Sequence, residues 1–234
     1  MRLVIWNCLF GLGQEQATSL AALRPDIAVI LEDQEVLAWP LDAGPPPSTS
    51  HWIGHRPDKG IRVLSFGDWK LTPSGPLPRL PWALSMDVSG PAEFRLVAVW
   101  TVRPDGAPDY PVQVAQIIEA YRPELEDGTT VLAGDFNCSG DTANPRPHLK
   151  NVATLREIGM ESAFHGHHHV EPGDEPMGTL YWRWSETARY HCDLGFVPTA
   201  WVPSIKLGRS WHLRRLGRPQ DQRPRPSDHR HRSG

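Results

Sequence analysis

No stretch of this sequence approaches the roughly eighteen consecutive apolar residues that a bilayer-spanning helix requires, so a helical membrane protein is excluded. The first residues are also unlike a secretory signal, because Leu3-Val4-Ile5-Trp6 is short and runs directly into polar Asn7. Cysteine is scarce: three residues without metal-type spacing indicate neither a disulfide scaffold nor a zinc module, and suit a reduced, cytoplasmic protein. Charge of one sign is lacking too. With a formal net charge of −3 there is no global basic field to hold a nucleic-acid backbone.

What is present suits one α/β domain spanning residues 1–234. The hydrophobic share of 39% is low but adequate for a core, and ten Trp add large apolar area. Basic residues gather at the end, where about 205–234 form an Arg/Pro-rich segment that reads as a solvated tail. The sequence carries no signal of oligomeric state.

Hydrophobic periodicity predicts a strand over 2–7, a helix over 14–24 and a strand over 27–31, with Arg24-Pro25-Asp26 stopping the helix. Residues 40–58 hold several Pro and Gly without periodicity and read as a long surface loop. Strand-like runs follow at 60–66, 82–88 and 94–102. A helix is expected at 110–121, a buried strand at 129–133, a short helix at 149–158, and strands at 178–184 and 191–197. The order describes a mixed α/β layout whose polar motifs stand at strand ends, where loops can converge on one cleft.

Four motifs carry chemistry. Trp6-Asn7 ends the first strand, and Glu32 ends the second, where a carboxylate can bind Mg²⁺ through oxygen. In Gly134-Asp135-Phe136-Asn137, alternation along an extended segment points Asp135 and Asn137 one way and Phe136 into the core. An acid and an amide side by side at a strand exit can activate water and bond a phosphoryl oxygen as charge builds on it. An Asx-rich turn explains the same four residues equally well. Asp228 beside His229 supplies an imidazole with an adjacent carboxylate. Taken alone, that pair reads as tail composition. Cys8, Cys138 and Cys192 each neighbour a motif residue and read as small buried hydrophobes behind the cleft.

In this order and at these intervals the motifs resemble the endonuclease/exonuclease/phosphatase superfamily. The resemblance runs from Trp6-Asn7 to Ser227-Asp228-His229. It includes Pro25-Asp26-Ile27-Ala28-Val29-Ile30-Leu31-Glu32, Lys59-Gly60-Ile61 and His191-Cys192-Asp193-Leu194-Gly195-Phe196. It implies a four-layer α/β sandwich, two mixed sheets face to face with helices outside. It also implies a Mg²⁺- or Mn²⁺-dependent phosphodiesterase, most simply a nuclease, acting on a phosphate ester such as nucleic acid. By the same resemblance Glu32 and Asp193 would hold the metal, and Asn7 would steady the metal–phosphate cluster. Asp135 would orient or deprotonate water, Asn137 would stabilise the transition state, and His229 with Asp228 would act as acid/base or phosphate contact.

The chain departs from that pattern twice. Trp100 stands where many nuclease members carry a second catalytic His, and an indole cannot transfer a proton. The Glu that partners this His in deoxyribonucleases would lie between Trp52 and Ile61, where there is none. Among the residues Ala163-Phe164-His165-Gly166-His167-His168-His169, His165 and His167 are candidates to supply the missing acid or bind a metal, against the plainer reading of a polar loop. After Ser-Asp-His the family continues into an apolar strand, but here the sequence has Arg230-His231-Arg232-Ser233-Gly234. These departures keep a second reading open: a catalytically weak or inactive module of the same fold that binds phosphate or nucleic acid.

Overall fold

A computed structural model describes residues 1–9, 11–75, 79–181, 185 and 187–207. Two sheets form its centre. The first has the strand order β1-β2-β4-β3, comprising β1 (Leu3–Asn7), β2 (Ile27–Asp33), β3 (Thr49–Arg56) and β4 (Lys59–Ser65). Only β1 and β2 run parallel, as expected of strands joined through a crossover helix, α1 (Gln14–Ala22). The second sheet is ordered β5-β6-β7-β8-β12-β9. Its strands are β5 (Lys70–Pro73), β6 (Ala83–Ser89), β7 (Phe94–Trp100), β8 (Thr130–Asp135), β9 (Met160–Ser162) and β12 (Asp193–Pro198). Between β7 and β8, again parallel, run the helices α2 (Tyr110–Ala120) and α3 (Arg122–Glu126). The short strands β10 (Leu180–Tyr181) and β11 (Arg189–Tyr190) form a separate hairpin.

The apolar runs are continuous rather than alternating because both faces of the central strands are covered. In β2, Ile27, Val29 and Leu31 point between the sheets, while Ala28 and Ile30 meet Leu20 of α1. In β7, Leu96, Ala98 and Trp100 face the other sheet. Val97 and Val99 instead pack on Val114, Ile117 and Ile118 of α2. α4 (Arg146–Glu157) covers the same outer face through Val152 and Leu155. The result is the expected four-layer α/β sandwich. β1 lies over β8 and β12, β2 over β8, β4 over β7, and β3 over β5.

Three predicted segments differ. The loop expected over 40–58 contains β3, an edge strand whose half-exposed Thr-Ser-His-Trp-Ile-Gly-His-Arg sequence lacks a clean apolar stripe. β5, another edge strand, is missed for the same reason. The polar loop at 163–169 is in part the helix α5 (Ala163–His168), whose N-terminus is capped by the Ser162 hydroxyl accepting from the His165 amide. Of the strand expected over 178–184, residues 178–181 are described, and only the last two of them are strand, β10.

Candidate active site

The site is built where strands of both sheets end on one side of the sandwich. β8 delivers Asp135 at its last residue, made possible by Gly134. There φ is +152°, and a Cβ would lie 1.8 Å from the Val99 carbonyl oxygen, so no other residue allows β7 and β8 to pair so closely. Phe136 then turns into the core, buried against Phe196. Asn137 adopts a left-handed φ of 47°, its N–H donating to Asp135 Oδ1 at 2.8 Å and its amide nitrogen to the Thr101 carbonyl at 2.9 Å.

Glu32 reaches the cleft by a route that alternation does not foresee. Following Ala28 and Ile30, it would point away from the second sheet. A bulge between Leu31 and Asp33, with Glu32 at φ 59°, re-aims it into the gap between the sheets. Asp33 is sent the opposite way, into a buried ion pair with Arg62, and it also accepts the Leu12 N–H at 2.8 Å. Arg62 donates further to Ser50 Oγ (2.7 Å) and to the carbonyls of Gln34 (2.5 Å) and Glu35 (2.8 Å), which clamps the bulge.

Asn7 ties the two sheets together. Its amide nitrogen donates to Glu32 Oε1 at 3.1 Å and to Asp135 Oδ2 at 3.0 Å, while its oxygen accepts the Leu9 N–H at 3.0 Å. Asp193 is the direct register partner of Asp135 across β12 and β8, and its Oδ1 is buried without a hydrogen-bond partner. Lys59 forms an ion pair with Glu32. Glu32, Asp135 and Asp193 therefore crowd one end of the sandwich, and the cation paired within the group is Lys59. Burial, reinforced by Glu32, pushes the Asp135 carboxyl above the usual range even though Asn7 and Asn137 donate to it. Burial and the neighbouring Asp135 push Asp193 up as well.

The predicted residues divide accordingly. Asn7, Glu32, Asp135, Asn137 and Asp193 converge. Trp100 is buried beside them, its register partner across β7 and β8 being Asp135. His165 is not part of this row. It is buried at the start of α5, with Nδ1 2.6 Å from Ser162 Oγ and Nε2 2.9 Å from Glu175 Oε1, so both ring nitrogens hold the local fold. His167 is exposed on α5, edge-to-face with His168. Asp228 and His229 lie outside the described residues. The three cysteines are buried. Burial pushes the Cys138 thiol up to about 12 and raises Cys8 and Cys192 as well, so all three stay protonated and behave as small apolar groups. Two features were missed in the sequence: the bulge that re-aims Glu32, and His55, which lies over Trp100.

Asp193 gives a stability prediction. A carboxyl whose folded-state pKa is raised binds its proton more tightly when folded. Stability is then lost as pH rises from the ordinary carboxylate range near about 4 through the raised value, and the full penalty applies above it. In chelator, unfolding of the wild-type chain at pH 5.5 should need more urea than at pH 8.5. Asp193→Asn should flatten that dependence and stabilise the chain at pH 8.5 by roughly 0.5–2 kcal/mol. A variant less stable than wild type at pH 8.5 would contradict the assignment of an unpaired buried charge.

No protein-family model and no curated protein sequence matches the chain. Solved structures do. A 3′-5′ exonuclease, NExo, from Neisseria meningitidis is 18% identical with a TM-score of 0.58, covering 88% of this chain and 90% of its own. Truncated TDP2 from Caenorhabditis elegans is 13% identical with a TM-score of 0.60, covering 83% and 82%. An AP endonuclease from Archaeoglobus fulgidus is 14% identical with a TM-score of 0.54, covering 80% and 81%. At such identities the likeness establishes the fold. The chain has the α/β sandwich of endonuclease/exonuclease/phosphatase-type proteins, as the motif order implied. Among the described residues, no helix is long and apolar enough to cross a membrane.

Proposed function

We propose that this chain is a divalent-metal-dependent phosphodiesterase of nuclease type, with a phosphate ester such as nucleic acid as substrate. The observation that carries the reading is Asn7, which bridges Glu32 on one sheet and Asp135 on the other and so fixes two carboxylates at one cleft. Their chemistry fits Mg²⁺ or Mn²⁺. Three carboxylates crowd the site, one with an oxygen that has no partner, and the side chains that would hold the ion offer oxygen. No three His, Cys, Asp or Glu side chains among the described residues form a ready cage. Mg²⁺ does not need one, because it keeps several waters and takes one or two carboxylates.

Glu32 and Asp193 would hold the ion, which when bound would neutralise phosphate charge and polarise the phosphoryl oxygens. Asp135 accepts the proton of the attacking water, a task favoured by its raised proton affinity. Asn137 spends one amide N–H on Thr101 and keeps a second for a phosphoryl oxygen. Asn7 keeps Glu32 and Asp135 in register. His229, backed by Asp228, is assigned to acid/base work or phosphate contact on the resemblance alone.

Calorimetric titration with Mg²⁺ and Mn²⁺ tests the metal assignment without relying on turnover. Glu32→Gln keeps the hydrogen bond from Asn7 but removes the charge, and should weaken binding by about tenfold or more, since losing even a group that only steadies a metal ligand costs about 10- to 100-fold. Undiminished binding in Glu32→Gln would remove Glu32 from the metal site.

A further inference from the structure

In the reading above the carboxylate row supplies the metal ligands and the base for the attacking water, which leaves no member of it to protonate a leaving alkoxide. An imidazole that could do so stands at the open end of the cleft, on β3. Along β3, alternation turns His51 and Ile53 toward the second sheet, and a bulge between Gly54 and Arg56 interrupts it at His55. His51 Nε2 lies 3.2 Å from the Leu71 carbonyl, Ile53 packs against the inter-sheet core, and His55 emerges at the mouth. There its ring stacks on Trp100, with centroids 6.3 Å apart and planes 27° from parallel. Trp100 in turn is the register partner of Asp135. Trp100, itself buried, thus links an exposed imidazole to the strand end that carries Asp135.

Three other imidazoles are buried in the fold, and one of them, His148, has Nδ1 without a partner. His165 is held by Ser162 and Glu175, and the buried His191 sets Nδ1 against the Met177 carbonyl. No described residue hydrogen-bonds the ring nitrogens of His55. Its charged neighbours are engaged elsewhere, Arg56 with Asp58 at 2.6 Å and Lys59 with Glu32. Imidazole is also the side chain best suited to proton transfer near neutral pH.

We infer that His55, seated on Trp100, is the catalytic acid that protonates the leaving group, an assignment that rests on the phosphodiesterase reading above. The water oxygen forms a bond to phosphorus as its proton passes to Asp135. The bond from phosphorus to the leaving oxygen breaks, its electron pair stays on that oxygen, and the oxygen takes the proton of the His55 imidazolium. The products are an alcohol and a phosphomonoester, and both side chains reset by exchange with solvent.

Two diesters separate this role from a structural one: a dinucleotide, whose alkoxide needs a proton to depart, and bis-p-nitrophenyl phosphate, whose aryl oxide departs without one. His55→Ala should lower dinucleotide turnover by about 10²-fold, and aryl-diester turnover by much less. Free imidazole, which fits the space opened over Trp100, should restore a measurable part of the dinucleotide rate. In a separate titration, dimethyl phosphate should shift the wild-type His55 Cε1–H resonance, identified by its absence in His55→Gln. Equal losses on both diesters with no imidazole rescue would overturn the assignment, as would selective dinucleotide loss in His229→Ala but not in His55→Ala. If wild-type chain turns over neither diester, the proposed activity fails and this assignment with it. Wild-type turnover with an unaffected His55→Ala would overturn the assignment alone.

Discussion

Asp135→Asn should reduce metal-dependent phosphodiester turnover by about 10²- to 10⁴-fold, the range by which a positioned base contributes to a proton transfer. Asn has nearly the shape of Asp and can still face Asn7, but it cannot accept a proton from water. Asp135 is 5% exposed and receives hydrogen bonds from Asn7 and the Asn137 backbone, so its position is fixed from two directions. Burial is the largest cause of its raised proton affinity, with Glu32 adding to it. Removing that charge also relieves repulsion with Glu32 and Asp193. The metal-free variant should therefore be at least as stable as wild type while its kcat collapses. Such a pairing of lost rate with retained stability marks a site built for chemistry rather than for folding. Steady-state kinetics and urea unfolding on the same preparation give both numbers. A rate within tenfold of wild type would exclude Asp135 as the base.

Arg62→Met should destabilise the chain by about 3–5 kcal/mol, the cost of stranding one partner of a buried ion pair. Arg62 and Asp33 have side chains only 4% and 3% exposed, and Arg62 also serves Ser50, Gln34 and Glu35. With the guanidinium gone, Asp33 is left as a buried anion, and two carbonyls lose their donor. Adding Asp33→Asn to Arg62→Met should recover part of the loss, because the buried charge disappears while the Leu12 N–H keeps an acceptor. Urea unfolding of the two variants checks this. The function should suffer with the fold, since Asp33 adjoins the left-handed Glu32 and the clamp holds that bulge in place. A single substitution costing under about 1 kcal/mol would show that the pair is not the buried lock described here, since ordinary exposed pairs fall in that range.

Asn7 and Asp135 were legible because each ends a continuous apolar run, and such a run ends where a covered strand emerges from between its layers, whereas Asp193, the first residue of β12, came from the resemblance alone. Glu32 was found by the same rule, yet its orientation was not, because a one-residue bulge reverses the alternation on which that reading depends. The edge strand β3 escaped detection because it is covered on one side only and carries Ser, Gly and two His. His55 was hidden with it. A lone histidine in a segment read as loop has no pattern to mark it, and only the approach of the two sheets brings it to Trp100. His165 failed in the opposite sense. A cluster of imidazoles draws attention in a sequence, but His165 is engaged with Ser162, the residue that caps α5, and with Glu175.

Hydrolysis with Mg²⁺ or Mn²⁺ across single- and double-stranded DNA, RNA, bis-p-nitrophenyl phosphate and p-nitrophenyl phosphate decides whether the paired sheet ends form a metal-dependent phosphodiesterase. Turnover should require the metal, favour a diester over p-nitrophenyl phosphate, and be lost in Asp135→Asn. If no substrate is turned over while Mg²⁺ still binds in a Glu32-dependent way, the claim is contradicted and the chain is a phosphate-binding module on the same fold.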